Sequence, residues 1–158
     1  MNSFKAKRHN VLEGQLLKAA PEDIFPLLCP KREFSWIPDW KCKIIYSETG
    51  YAEPDCIFTT NLPSEGEEIW VVAKFEMNRK IQFIRTSKTR VIRYSINLTD
   101  NCNGTTCAFW EQTITALNEE GNLYVDNFDD KKFAASIKRL ENQINHYVLT
   151  GEMLKSIP

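Results

Sequence analysis

Histidine and glycine are scarce in this chain, with two and six among 158 residues, and no stretch approaches the roughly 18 apolar residues of a membrane span. His9 and His146 fall in different predicted elements, and no histidine or carboxylate spacing matches zinc or iron ligation. No metal and no other cofactor is therefore expected. Cysteine is present five times, at Cys29, Cys42, Cys56, Cys102 and Cys107, but without a Cys-x-x-Cys pair. An odd count with this spacing argues against a secreted disulfide framework and against a zinc knuckle, so the thiols are read as reduced. A facultative Cys42–Cys56 bridge stays open, because both positions fall in strands expected to pair. A dominant charge is also missing, since the formal net charge is −1. That balance offers no global attraction to nucleic acid or to an anionic membrane. The opening Met1 to Asn10 is basic, yet no apolar stretch of the signal-peptide kind follows it. The expectation is a cytoplasmic protein whose partners include neither nucleic acid nor a membrane interior.

The length suits one domain over residues 1–158, large enough for a core without disulfides or metals. Its clearest periodic segment is Asn127 to Thr150. Phe133, Ile137, Leu140, Ile144 and Val148 recur there at the three-and-four spacing of one helical face. Asn127 is read as the cap and Gly151 as the stop. Upstream, a first strand over about Asn10 to Lys18 precedes Pro21, Pro26 and Pro30, whose missing donors break the helical signal into two short pieces. Six further strands follow at about Lys41–Glu48, Cys56–Asn61, Glu68–Met77, Lys80–Thr86, Arg90–Thr99 and Thr105–Leu117. Asp100 to Gly104 is the strongest hairpin signal.

One helix must then serve seven strands. A helix is about 10–12 Å across and strands lie about 4.8 Å apart, so it covers two or three of them. A flat sheet would leave most of its apolar face in water, whereas a sheet curled around the helix does not. Curling leaves a hollow, and a hollow suits a small hydrophobic molecule.

The order of elements, Lys18-Ala19-Ala20-Pro21-Glu22-Asp23-Ile24-Phe25-Pro26-Leu27-Leu28 after the first strand, and Trp110-Glu111-Gln112-Thr113-Ile114-Thr115-Ala116-Leu117 before the long helix resemble the SRPBCC superfamily. That group includes START-like, Bet v 1-like and polyketide cyclase-like proteins. The resemblance spans roughly Arg8 to Thr150. It implies an α+β helix-grip fold: a curved seven-stranded antiparallel sheet around the C-terminal helix, enclosing an apolar cavity closed at one end by two short helices. The glycine-rich loop of the plant Bet v 1 branch is missing, since Asn61 to Glu67 holds only Gly66, which sets the chain apart from the plant allergens. No fixed catalytic set transfers onto particular positions.

Candidate ligand contacts follow from strand and helix faces. In the last strand, Phe109 and Glu111 share one face and Trp110 and Gln112 the other, so either Glu111 or Gln112 points inward. Arg85 shares a face with Ile81 and Phe83, can pair with Glu111, and has the planar fork suited to a ligand oxyanion. Trp36 and Trp40 flank Pro38 in the segment expected to close the cavity, over either a ligand or the core. Trp70 breaks the apolar face formed by Ile69, Val71, Ala73, Phe75 and Met77; either a bulge turns it inward or it forms an exposed patch. Phe58, Phe75, Tyr94 and Phe133, with Ile137 and Leu140 on the helix, line or fill the interior. Arg79, Lys80, Arg85, Lys88, Arg90 and Arg93 form a basic stretch read as a solvated hairpin edge. Three function classes remain: a carrier for a lipid, polyketide-like or isoprenoid molecule; a cyclase or dehydratase that polarises a bound carbonyl with Glu111 or Arg85; and a protein-interaction module that uses Trp70 or the sheet surface, its cavity largely filled by side chains.

Overall fold

Proline sets the first turns of the chain's helical entry. In the computed structural model, which describes residues 3–155, β1 (Arg8–Leu17) leads into α1 (Pro21–Ile24), a 3₁₀ turn (Phe25–Leu28) and α2 (Pro30–Glu33). Each piece has a proline within its first two positions, where a missing N–H costs nothing. Together they bury Ile24, Phe25, Leu27 and Leu28. Trp36 closes this segment, fully buried, with its indole N–H donated to the Leu27 carbonyl at 2.8 Å.

The remaining strands are β2 (Lys43–Tyr46), β3 (Ile57–Leu62), β4 (Gly66–Glu76), β5 (Lys80–Thr86), β6 (Arg90–Asp100) and β7 (Thr106–Ala116). They form one curved antiparallel sheet of seven strands in the order β1-β7-β6-β5-β4-β3-β2. Because β1 and β2 are opposite edges, the short helices between them must cross the whole width of the sheet. That places them as a cover over one end.

Helix α4 (Asp130–Thr150) begins at Asp129, whose carboxylate accepts from the Lys131 and Lys132 amides, and ends at Gly151 with φ 73°. It buries Phe133, Ile137 and Ile144 against the concave face. Its polar side chains also bind the β1 edge: Glu141 accepts from the Leu16 amide and Asn145 from the Lys18 amide, both at 2.8 Å. Those bonds occupy edge amides that would otherwise invite another strand. Deeper in, Trp110 donates to Gln15, and Gln15 donates to the Ile137 carbonyl, so β7, β1 and α4 are joined by one buried chain.

Two expectations are corrected here, the cap of the long helix and the inward face of β4. The segment that follows the last strand opens an extra helix, α3 (Glu119–Asp126), capped by Asn118, whose side chain accepts from the Gly121 amide. Asn127 therefore ends α3 and does not begin α4. In β4 the buried face is Glu68, Trp70 and Val72, not Ile69, Val71 and Ala73. A shift of register between Val72 and Lys74 reverses the phase, after which Phe75 turns inward onto Phe25, ring centroids 5.2 Å apart. Cys42 and Cys56 are free thiols, in line with the reduced state read from the cysteine spacing. Burial pushes Cys42 up to about 11, which keeps it protonated at neutral pH.

Candidate functional site

Between the concave face and α4 lies a cavity of about 890 Å³. Its sheet wall is aromatic. Phe58 stacks on Trp70 at 5.2 Å, Phe83 meets Trp70 edge-on at 5.6 Å, and Tyr94 meets Trp110 at 5.9 Å. Register explains the contiguity: Phe58 is opposite Trp70, Phe83 opposite Tyr94, and Tyr94 opposite Gln112, which puts these side chains on one face. Phe128, Phe133, Ser136 and Leu140 supply the other wall, and Ile37 and Trp40 reach in beside the short helices. Trp40 is tied down through its N–H to the Pro30 carbonyl at 2.8 Å. A second concavity of about 1320 Å³ is larger but lies over the end of the sheet, where hydroxyls and charges dominate and Tyr124 is the one aromatic. Ligand sites are mostly apolar with a few convergent polar groups, so the smaller hollow is the better candidate.

Of the twelve residues singled out from sequence, seven line this space, three pack behind its wall and two lie on the opposite face of the sheet. Trp40, Phe58, Trp70, Arg85, Tyr94, Phe133 and Leu140 line the cavity, while Trp36, Phe75 and Ile137 pack behind it. Phe109 and Glu111 do not belong there. The inward face of β7 is Trp110, Gln112 and Ile114, so Phe109 is 43% exposed on the convex side over Gly14, and Glu111 shares that side. Arg85 consequently has no Glu111 to pair with.

Its partners are Glu68 and Glu65, and these the sequence reading missed. Arg85 Nε lies 3.3 Å from Glu68 Oε2, and Arg85 Nη2 lies 3.5 Å from Glu65 Oε1. Arg90 reaches the same two carboxylates, at 2.7 Å for Glu65 and 3.6 Å for Glu68. From α3, the Tyr124 hydroxyl donates to Glu65 at 2.8 Å while its ring lies 3.9 Å from the Arg90 guanidinium carbon. Arg85 and Arg90 thus leave the solvated basic edge expected for them. The alternation of β4, with Glu68 two residues before Trp70, was the available signal once Trp70 was taken as inward.

Bonding in the cluster is incomplete. Both Glu68 oxygens and the Nε atoms of Arg85 and Arg90 are buried without a hydrogen-bond partner among the described residues. Desolvation raises the Glu68 pKa, against the opposing pull of Arg85 and Arg90. Burial likewise pushes the Tyr124 phenol up to about 12 and the Tyr94 phenol above its ordinary range, so both are neutral donors. Glu33, on the α2 side of the cavity, is held well above the ordinary 4.5 by loss of water around its carboxyl. The sign of its effect is fixed. With a raised folded value, the folded state keeps its proton where the unfolded state has lost it, and stability falls as pH rises through that window. Glu33→Gln is expected to melt roughly 2–4 °C higher than wild type at pH 8, the gain fading toward pH 4, as followed by calorimetry.

The fold these elements define is the helix-grip fold of Bet v 1-like proteins. Among solved structures, truncated norcoclaurine synthase from Thalictrum flavum matches with a TM-score of 0.68 at 14% identity, over 95% of this chain and 99% of that one. DynU16, from the dynemicin biosynthetic locus, matches with a TM-score of 0.63 at 11% identity over 90% of this chain, which spans 48% of its length. An uncharacterised protein from Rhizobium leguminosarum matches at 0.61 and 12% identity, over 92% of this chain and 97% of that one. No protein-family model and no curated protein matches the sequence. Among the described residues no group of three or more potential ligands could hold a metal ion, and no helix is long and apolar enough to cross a membrane.

Proposed function

We propose that the protein binds a small hydrophobic or amphipathic molecule between its sheet and α4. One observation carries the reading: a contiguous aromatic wall faces a cavity of about 890 Å³, the size range of small-molecule sites. Lipids, polyketide-like compounds and isoprenoids have the apolar bulk to occupy it. The five free thiols support a reducing compartment, the cytoplasm, and the balanced charge supports a small-molecule partner over nucleic acid or a membrane interior. Native mass spectrometry of the purified chain, before and after solvent extraction, is expected to show a non-covalent adduct that extraction removes. N-phenyl-1-naphthylamine is expected to bind the extracted protein with a rise in fluescence and to raise its melting temperature. No adduct and no dye binding would rule this reading out.

A second reading, an enzyme of the cyclase or dehydratase kind, is favoured by Arg85, whose guanidinium faces the cavity beside Tyr94 and can polarise a bound carbonyl. The names of norcoclaurine synthase and the dynemicin locus protein are in keeping with it. Arg85→Met separates the two readings, since it removes turnover in the enzyme but leaves the apolar contribution to binding.

A further inference from the structure

Arg85 is the buried residue of the cavity wall whose hydrogen-bonding capacity is left unused. A guanidinium carries five N–H donors, and none of those on Arg85 completes a hydrogen bond among the described residues, although the residue is only 5% exposed. Its carbon lies 5.0 Å from the Trp70 ring centre and 5.8 Å from that of Tyr94, so two aromatic faces hold the group in place. Buried donors left unmade are costly, and an acceptor arriving through the cavity would relieve that cost.

The neighbours of Arg85 decide which acceptor. Glu65 and Glu68 on one side and Arg85 and Arg90 on the other balance to a formal charge of zero within one small volume, buried except at Glu65, which is partly exposed. A carboxylate or phosphate docked on Arg85 would put a further negative charge beside two carboxylates, where little water screens it. An ammonium would meet two guanidiniums instead. An uncharged carbonyl, amide or hydroxyl oxygen accepts the same bonds and leaves the balance intact. Lys132 and Arg139 also border the cavity, but both are exposed, and solvent weakens their influence at its polar end. Glu33, on the opposite side, adds no positive charge.

Resting on the cavity-binding reading above, we infer that the Glu65, Glu68, Arg85 and Arg90 cluster selects amphipathic ligands with an uncharged, oxygen-bearing head and rejects those with an ionic one. The test uses 2-naphthamide and 2-naphthoate, which share a shape and differ in charge, each displacing N-phenyl-1-naphthylamine from the full chain at pH 7.5. The amide is expected to bind at least about tenfold tighter. In Glu68→Gln the cluster gains a net positive charge, and the ratio is expected to fall to about one or to invert. Glu65→Gln, at the more exposed carboxylate, moves the ratio the same way and serves if Glu68→Gln folds poorly. Equal affinity of wild type for the two probes, or a ratio unchanged in the variants, overturns the selection while leaving cavity binding standing. Failure of the dye to bind wild type overturns the cavity reading itself, and the selection with it.

Discussion

Gly121→Ala is expected to destabilise the protein by about 3 kcal/mol, the upper part of the range for overpacking a well-filled site. The opposite sign is the default, because alanine is favoured over glycine in a helix interior by about 1 kcal/mol. Here a Cβ on Gly121 would lie 2.0 Å from the Thr89 carbonyl oxygen and 3.1 Å from the Ala116 Cβ. That oxygen has no easy retreat, since it accepts from the Leu117 amide at 2.8 Å. Helix α3 must move instead. It is fastened by Asn118 to the Lys88 carbonyl and by Asn122 to both the Lys7 amide and the Lys5 carbonyl, so displacement breaks several bonds together. It also draws Tyr124 away from Glu65 and Arg90. Urea unfolding of the variant beside wild type measures the difference. A gain in stability would show that α3 does not press on Thr89.

That helix also marks where the sequence stops being legible. α4 could be read because a 21-residue helix repeats its apolar stripe several times. Helix α3 has eight residues, includes a glycine, and exposes Leu123, so local periodicity is weak and long-range polar contacts hold it. β5 could be read to its ends, Lys80 and Thr86, because alternation and turns agree. In β4 one bulge reverses the inward face midway, and a pattern of alternating residues cannot show where such a slip occurs. The partner of Arg85 was hidden for a related reason. Pairing depends on register between strands: Trp70 stands opposite Arg85, which puts Glu68 diagonally adjacent, whereas Glu111 stands opposite Ser95 on the other face. The helix-grip architecture follows from counting strands against one helix; the polar end of the cavity follows from register, which a single sequence leaves open.

Removing both Glu68 and Arg85 is expected to be far less damaging than removing either. Arg85→Met leaves Glu68 buried without its nearer guanidinium, the kind of loss that costs about 3–5 kcal/mol when a buried pair is broken from one side. Arg90, 3.6 Å from Glu68, softens that toward the lower figure. Glu68→Leu leaves Arg85 with only the 3.5 Å approach to Glu65 and is expected to cost about the same. In Glu68→Leu with Arg85→Met, no charge is stranded, because Arg90, Glu65 and Tyr124 keep their 2.7 and 2.8 Å contacts. Replacing a buried ion pair with apolar side chains is often neutral or stabilising by about 1–4 kcal/mol, so the double variant is expected to match wild type or exceed it. A double-mutant cycle in urea gives the coupling, and 2-naphthamide binding to the same four proteins gives the function. Restored stability with binding still lost would mean that the pair is kept for what enters the cavity and not for the fold. Losses that simply add would mean that Glu68 and Arg85 act independently, and the charge balance invoked for ligand selection would lose its physical basis.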